Sequence, residues 1–305
     1  MACPTLASPG AGGVLLLDKA AGWSSTRALG RAKRLLGVRK GGHTGTLDPF
    51  ATGLLPLVFG EATKFSRFLL DAPKAYVATL CLGRTSSSGD PEGTISPAVP
   101  VTASEYQIEE VMRSFVGVQQ QVPPMHSAIH YQGKRLYEWA RDGMEVDREP
   151  RSVHILSIDR VAISGEKVVI SVKCSKGTYL RVLAHDIGQR LGCGAYLTDL
   201  RRTRVAGFEV DRAVTLEQLE AAGSGSCAML LPPATLVDSL PRILLSDAQA
   251  DAICRGQAVA VEGLGAGETA LFGPGQRFLG VGLADGARRL AALRLLATPH
   301  PAQLP

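Results

Sequence analysis

The stretch Gly41-Gly42-His43-Thr44-Gly45-Thr46-Leu47-Asp48-Pro49-Phe50-Ala51-Thr52-Gly53-Leu54-Leu55 constrains the fold more than any other part of the chain. Four glycines within thirteen residues permit positive φ and close backbone approach, at an entropic cost that a plain connection seldom bears. Pro49 locks its own φ and pushes Asp48 toward extended geometry, so the one carboxylate of the loop is held in place. Turn chemistry alone reads such an aspartate as an Asx-turn or a helix N-cap. A functional reading needs partners elsewhere in the chain.

At 305 residues the chain fits one large domain with an appendage, or two domains. The hydrophobic fraction of 45% and charged fraction of 20% are those of a water-soluble globular protein. No apolar run reaches the roughly 18 residues that span a bilayer. Residues 1–13 lack the charged start and apolar centre of a signal peptide, so a cytoplasmic protein is expected. Cys3, Cys81, Cys174, Cys193, Cys227 and Cys254 form no Cys-x-x-Cys pair and have no near histidine, which reads as reduced cysteines without a zinc site or disulfide framework. The histidines are equally dispersed, and no metal is expected.

The net charge of +5 matters less than its placement. Residues 14–17 read as a short strand, and Ser24 or Ser25 caps a helix ending near Gly37. On that helix Ala28, Leu29, Ala32, Leu35 and Leu36 form an apolar stripe, with Arg27, Arg31 and Arg34 on another face. Lys19 to Lys40 holds seven basic residues and no acid, either a solvated face or a phosphate-binding one. Alternation marks a strand over 76–82, a polar Ser/Gly/Asp-rich excursion follows over 83–93, and 102–115 reads as a helix. Residues 122–150 break the pattern and read as an exposed insertion. Residues 155–163 and 167–174 pair as a hairpin, and a helix with a Leu180, Leu183, Ala184, Ile187 and Leu191 face follows. Arg201, Arg202 and Arg204 form a second basic cluster. A proline-rich linker is expected at 231–241, and the glycine-punctuated tail reads as a small β-rich barrel or sandwich.

The loop Gly42 to Pro49, Ala51-Thr52-Gly53, Gly60-Glu61-Ala62-Thr63-Lys64, the strand from Tyr76, and Lys176-Gly177-Thr178-Tyr179-Leu180-Arg181 together resemble the TruB family of pseudouridine synthases, from about Gly13 to Phe208 and more weakly into the tail. The resemblance implies an α+β fold. Its core is a mixed, mainly antiparallel sheet flanked by helices and loops at 13–230, after a flexible N-terminus at 1–12. A β-rich PUA-like RNA-binding domain at 242–300 completes it. The implied reaction is the isomerisation of uridine 55 in the T-loop of tRNA, without cofactor or metal: the bond from the sugar to N1 is broken and remade to C5.

By the same resemblance Asp48 initiates cleavage, through attack on sugar or base or through proton abstraction from the sugar, and Arg181 keeps it ionised and oriented. Tyr76 stacks on the target base and takes or relays a proton. Tyr179 and Leu200 line the base pocket, and His43 fills the space that the extruded uridine vacates. Lys19, Lys64 and Gly42 are further expected substrate contacts. Arg27, Arg31, Arg34, Arg201, Arg202 and Arg204 are expected to hold the RNA backbone. The insertion at about 122–150 resembles the segment that clasps the T-arm in bacterial members, which favours the stand-alone type; no obligate protein partner is expected, and a monomer is the expected state. Two other readings share these motifs: a non-catalytic tRNA-binding or folding protein, and the catalytic subunit of a guide-RNA-dependent complex. One departure stands out, since Lys19-Ala20-Ala21-Gly22 replaces the family's Lys-Pro-x-Gly and removes a rigid turn residue.

Overall fold

The computed structural model describes residues 12–296; the expected N-terminal stretch lies outside these but for Gly12, as do residues 297–300 of the expected tail. The first strands are β1 (Gly12–Lys19), β2 (Gly41–His43), β3 (Thr52–Gly60), β4 (Lys74–Leu82) and β5 (Gly117–Gln121). After a two-stranded hairpin of β6 (His130–Tyr131) and β7 (Lys134–Arg135) come β8 (Arg151–Ser164), β9 (Lys167–Cys174), β10 (Ala195–Val205) and β11 (Phe208–Glu209). The main sheet runs in the order β1-β3-β10-β4-β9-β8-β5, with β2 beside β3 and β11 beside β10. Every pairing in it is antiparallel except β3 with β10, so the sheet is mixed and mainly antiparallel, as the resemblance implied.

Helix α1 (Ser25–Leu35) starts on Ser24, whose hydroxyl accepts the Arg27 N–H at 3.2 Å, a cap that stabilises by about 1 kcal/mol. Ser25 is not the cap but is buried against the glycine loop. Ala28, Ala32 and Leu36 pack into the core as the stripe demands. After the single turn α2 (Arg67–Leu70), helix α3 (Glu105–Ser114) opens on a Ser104/Gln107 capping box. Next come α4 (Leu136–Arg141) inside the insertion, α5 (Leu180–Arg190) and α6 (Leu216–Ala221).

Strand β3 reads as a continuous apolar run because the core contacts both of its faces. Leu55, Leu57 and Phe59 enter the main core, while Leu54 and Val58 enter a second one behind the sheet. That second core also takes Val14 and Leu16 of β1 and, from the tail, Ala270, Phe272 and Val281. The tail is one five-stranded sheet in the order β12-β14-β15-β16-β13: β12 (Arg242–Leu244), β13 (Val259–Ala260), β14 (Gly267–Gly273), β15 (Arg277–Ala284) and β16 (Arg289–Leu295). Helix α7 (Asp247–Cys254) packs on it. Residues 231–241 are packed too: Leu231 and Val14 exchange backbone hydrogen bonds at 2.8 and 3.0 Å, and Leu236 and Val237 are buried.

Cys81, Cys174, Cys193 and Cys254 are free thiols. Cys227 is disulfide-bonded, which corrects the expectation of six reduced cysteines; the spacing of the cysteines carried no sign of it. No helix among the described residues is long and apolar enough to cross a membrane.

Candidate active site

The glycine loop is fixed from several sides. Ser25 Oγ accepts the Leu47 N–H at 2.8 Å and donates to the Leu47 carbonyl at 3.0 Å. The Gly22 N–H donates to the Pro49 carbonyl at 2.8 Å. Lys19 Nζ, buried at the end of β1, donates to the carbonyls of Trp23 at 2.8 Å, Ala20 at 3.0 Å and Pro49 at 3.3 Å. Burial lowers its pKa to about 8, with Asp48 opposing the shift. The turn that lacks the family's proline is thus held through Lys19.

Asp48 meets Arg181, the second residue of α5. Arg181 Nε lies 3.0 Å from Asp48 Oδ2, and its Nη2 lies 3.5 Å from Oδ1. Arg181 is buried, and the rest of its guanidinium is also occupied. It donates to the Ser88 carbonyl at 3.0 Å and to the His126 carbonyl at 2.7 Å, and Nη1 lies 3.4 Å from Asp90 Oδ2. Asp90 is buried as well; its Oδ1 accepts the Glu92 N–H at 3.1 Å and the Ser88 hydroxyl at 2.5 Å. One arginine therefore serves two carboxylates. Asp48 does not get the full benefit of that cation, and burial, aided by Asp90, pushes its pKa above the usual aspartate value despite Arg181 and Lys19.

Asp48 stands on the wall between two cavities. The smaller, about 360 Å³, is lined by Asp48, Tyr76, Tyr179, Leu200 and Arg181 among others. The larger, about 770 Å³, is lined by Asp48, His43, His126, Tyr137 and Arg181 among others. Tyr76 is buried on β4, and desolvation pushes its phenol pKa up, so it holds its proton at neutral pH. Leu200 sits beside it, since β10 pairs with β4 at Leu200/Ala78. His43 is kept neutral by burial and by the cations Arg202 and Arg135, and its buried Nδ1 has no hydrogen-bond partner among the described residues. A roomier void of about 1030 Å³ lies between the main sheet and the tail, lined by Arg67, Phe208 and Glu268 among others, and Asp48 does not line it.

A family model for the N-terminal domain of TruB family pseudouridylate synthase matches residues 33–180, and the tRNA pseudouridylate synthase B C-terminal domain matches 181–234. The C-terminal domain of pseudouridine synthase II TruB matches 241–296. A tRNA pseudouridine synthase B of Aromatoleum aromaticum is 50% identical over 292 residues, which is 95% of this chain and 94% of that protein. This chain belongs to the TruB family. A second tRNA pseudouridine synthase B, from Azoarcus sp., is 51% identical over 88% of this chain and 90% of its own length. Among solved structures, an H/ACA RNP bound to a substrate RNA containing 2′-deoxyuridine matches with a TM-score of 0.72 and 25% identity, over 95% of this chain and 86% of that one. A Cbf5–Nop10–Gar1 complex matches with a TM-score of 0.71 and 26% identity, over 94% and 84%.

In this TruB chain Asp48, Tyr76, Arg181, Tyr179 and Leu200 come together around one cavity, and His43 lies beyond Asp48 in the other. Lys64 does not join them. Its ammonium donates to the Leu295 carbonyl of the tail at 3.0 Å and pairs with Glu61. Gly42 is an ordinary strand residue whose added Cβ would meet only Val58 Cγ2 at 4.0 Å. The glycine freedom is used elsewhere: Gly53, at φ +102°, lets the Arg202 backbone approach, and Gly41 makes room for the Phe59 ring.

Within the expected basic cluster at 201–204, Arg202 is corrected as a surface residue. Strand β10 alternates, so Arg202 points inward and is fully buried, donating to the carbonyls of Leu54 at 2.6 Å, Gly45 at 3.2 Å and Thr46 at 3.5 Å. It is spent on the glycine loop and faces the smaller cavity rather than the outer surface. Arg201 forms a two-point pair with Asp18, at 2.7 and 3.0 Å, and Arg204 pairs with Glu209 at the surface. On α1, Arg27 lies over the Trp23 ring and Arg31 pairs with Glu220, while Arg34 is exposed with no ion pair among the described residues. Sequence reasoning missed Asp90, Ser25 and the His126 carbonyl. Only the polar composition around Asp90 gave any signal.

Proposed function

We propose that this protein is a tRNA pseudouridine synthase that isomerises uridine 55 of the T-loop. The observation that carries the reading is the Asp48–Arg181 pair at the junction of two cavities, one walled by Tyr76, Tyr179 and Leu200 and sized for a single nucleoside. The reaction conserves atoms: the C1′–N1 bond breaks, the base turns, C1′ bonds to C5, the C5 proton leaves and N1 gains one. Asp48 initiates the cleavage. Arg181 aims its carboxylate, and Tyr76 covers the base and stands ready to relay the C5 proton. The target must first leave its stack, at a cost of a few kcal/mol. A neutral His43 ring offsets part of that cost in the vacated position, because an uncharged imidazole is cheap to place against bases.

The insertion is a folded wall rather than a loose loop. Trp139 packs edge-on to Tyr131, Arg141 lies over Tyr137, and the His126 carbonyl binds Arg181. Its position over Asp48 supports clasping of the T-arm, and the tail sheet is proposed as a PUA-like RNA-binding domain. We read the protein as a stand-alone, cytoplasmic monomer. Purified protein alone is expected to convert one uridine of an unmodified T-stem-loop transcript to pseudouridine, detected by pseudouridine-specific chemical mapping. The likeness to the H/ACA and Cbf5 structures favours a second reading, in which activity would require an added guide RNA. Activity without any guide would dismiss that second reading, and no activity under either condition would leave the non-catalytic RNA-binding one.

The basic face of α1 gives a separate expectation. Replacing Arg27 and Arg34 with Gln should weaken RNA binding and flatten its salt dependence by about 0.7 log units for each phosphate no longer neutralised. Arg31→Gln should change the slope less, because its charge is already engaged by Glu220. Filter-binding titrations at several salt concentrations measure this, and an unchanged slope in the double variant returns the face to plain solvation.

A further inference from the structure

Strands β5 and β8 end in register at Gln121 and Arg151, so the 122–150 insertion leaves and rejoins the sheet at one point. The Gln121 side chain at that point is 3% exposed and turned inward. Its Oε1 accepts the Tyr179 N–H at 2.9 Å, and its Nε2 donates to the Tyr179 carbonyl at 3.3 Å. Both ends of one side-chain amide are thus spent on the donor and acceptor of a single residue, which fixes the position and the plane of that backbone as a strand partner would.

Tyr179 is the N-cap residue of α5, in extended geometry and without a side-chain cap of its own. Arg181 follows two residues later. A shift at the start of α5 would displace the guanidinium that faces Asp48, and Gln121 is bonded to the residue at that start. The insertion touches Arg181 itself five residues beyond its root, through the His126 carbonyl on Nη2 at 2.7 Å.

We propose that Gln121 is a positioning residue for the isomerisation: it seats the root of the insertion on the start of α5 and so holds Arg181 in line with Asp48. The inference rests on the isomerase reading above and deepens it. Gln121 reaches neither cavity lining, so it acts through Arg181 rather than on the substrate. The charged groups facing Asp48 are Arg181 from α5, Asp90 from the loop after β4 and Lys19 from the end of β1. Of these, only Arg181 depends on Gln121. A misplaced Arg181 leaves Asp48 with less positive charge beside it and Asp90 still present, so the Asp48 proton is held more tightly and the acid limb of the rate profile moves to higher pH.

The test is single-turnover pseudouridine formation against pH for Gln121→Met, which removes both hydrogen bonds at similar volume. Gln121→Glu, which retains an acceptor for the Tyr179 N–H, is measured beside it. Gln121→Met is expected to slow the reaction by about 10²-fold, the cost of an ångström-scale misplacement. Its T-stem-loop affinity should stay within about threefold, within the context spread of a residue that makes no ligand contact, and its acid limb should lie at higher pH. Gln121→Glu should fall between it and the wild type, and it carries the test if the methionine variant does not fold. A rate within about twofold of wild type, a slowed rate with an unmoved acid limb, or a loss of affinity that accounts for the loss of rate would each overturn the proposal. An inactive wild-type protein counts against the isomerase reading; an active one with unaffected variants counts against Gln121 alone.

Discussion

Asp48→Ala is expected to lose at least about three orders of magnitude in single-turnover rate, or roughly 4 kcal/mol of transition-state stabilisation, while RNA affinity is retained. The reason is positional. Among the described residues Asp48 is the only carboxylate lining the smaller cavity, so no neighbour can take over its chemistry. The frame around it should survive, because Arg181 keeps Asp90 and the carbonyls of Ser88 and His126. Removing a negative charge also does nothing to repel phosphate. Asp48→Asn separates charge from shape and should be as inactive as alanine.

In the wild type the rate requires ionised Asp48, and burial raises the pKa of that carboxyl. As pH falls through this raised value the rate should fall about tenfold per unit, starting at a higher pH than for an ordinary aspartate. Quantitative mapping of product over a pH series checks both points. Undiminished product from Asp48→Ala would remove the basis of the assignment.

Gly53→Ala is expected to be the most damaging single methyl group that can be added to the glycine loop. Gly53 sits at φ +102°, where an alanine is strained, and its Cβ would lie 2.8 Å from Arg202 N and overlap the Arg202 carbonyl oxygen. The collision occurs where β3 and β10 run parallel, at Gly53/Arg202. Relief would require these central strands to part and Arg202 to release the carbonyls of Gly45, Thr46 and Leu54. Strain and broken pairing together should cost at least about 3 kcal/mol. Gly42→Ala is the internal comparison: it has an open neighbourhood and should stay within about 0.5 kcal/mol of the wild type. Chemical denaturation of both variants decides the matter, and equal midpoints would refute this account of the glycine.

The contrast between these two glycines shows where the sequence was legible. Glycine-rich composition marked the loop, but nothing in it separated Gly53, forced by a strand neighbour about 150 residues away, from Gly42, which is an ordinary strand position. Local signals read well: a cap at Ser24 or Ser25, the α1 stripe, the alternation of β4 and the β8–β9 hairpin all follow from spacing and turn residues. Arg201-Arg202-Thr203-Arg204 misled because charge density suggested a surface, whereas strand alternation turns every second side chain inward. Leu200, Arg202 and Val205 are the buried positions of that segment, with a bulge between Arg202 and Arg204 accounting for the odd spacing. Asp90 carried no more than a compositional signal, for a different reason. Its significance comes wholly from sharing Arg181 with Asp48, a relation between three distant segments that no local pattern encodes.

The apolar layer behind the main sheet has a consequence of its own. Val14, Leu16, Leu54 and Val58 on one side, and Ala270, Phe272 and Val281 on the other, form one contiguous core. The strand that ends the glycine loop therefore has its rear surface roofed by the tail, and a chain cut before Arg242 would present that surface to water as an adhesive patch. Lesions in the buried face of β14 or β15 would then act as dosage defects, with fewer molecules surviving.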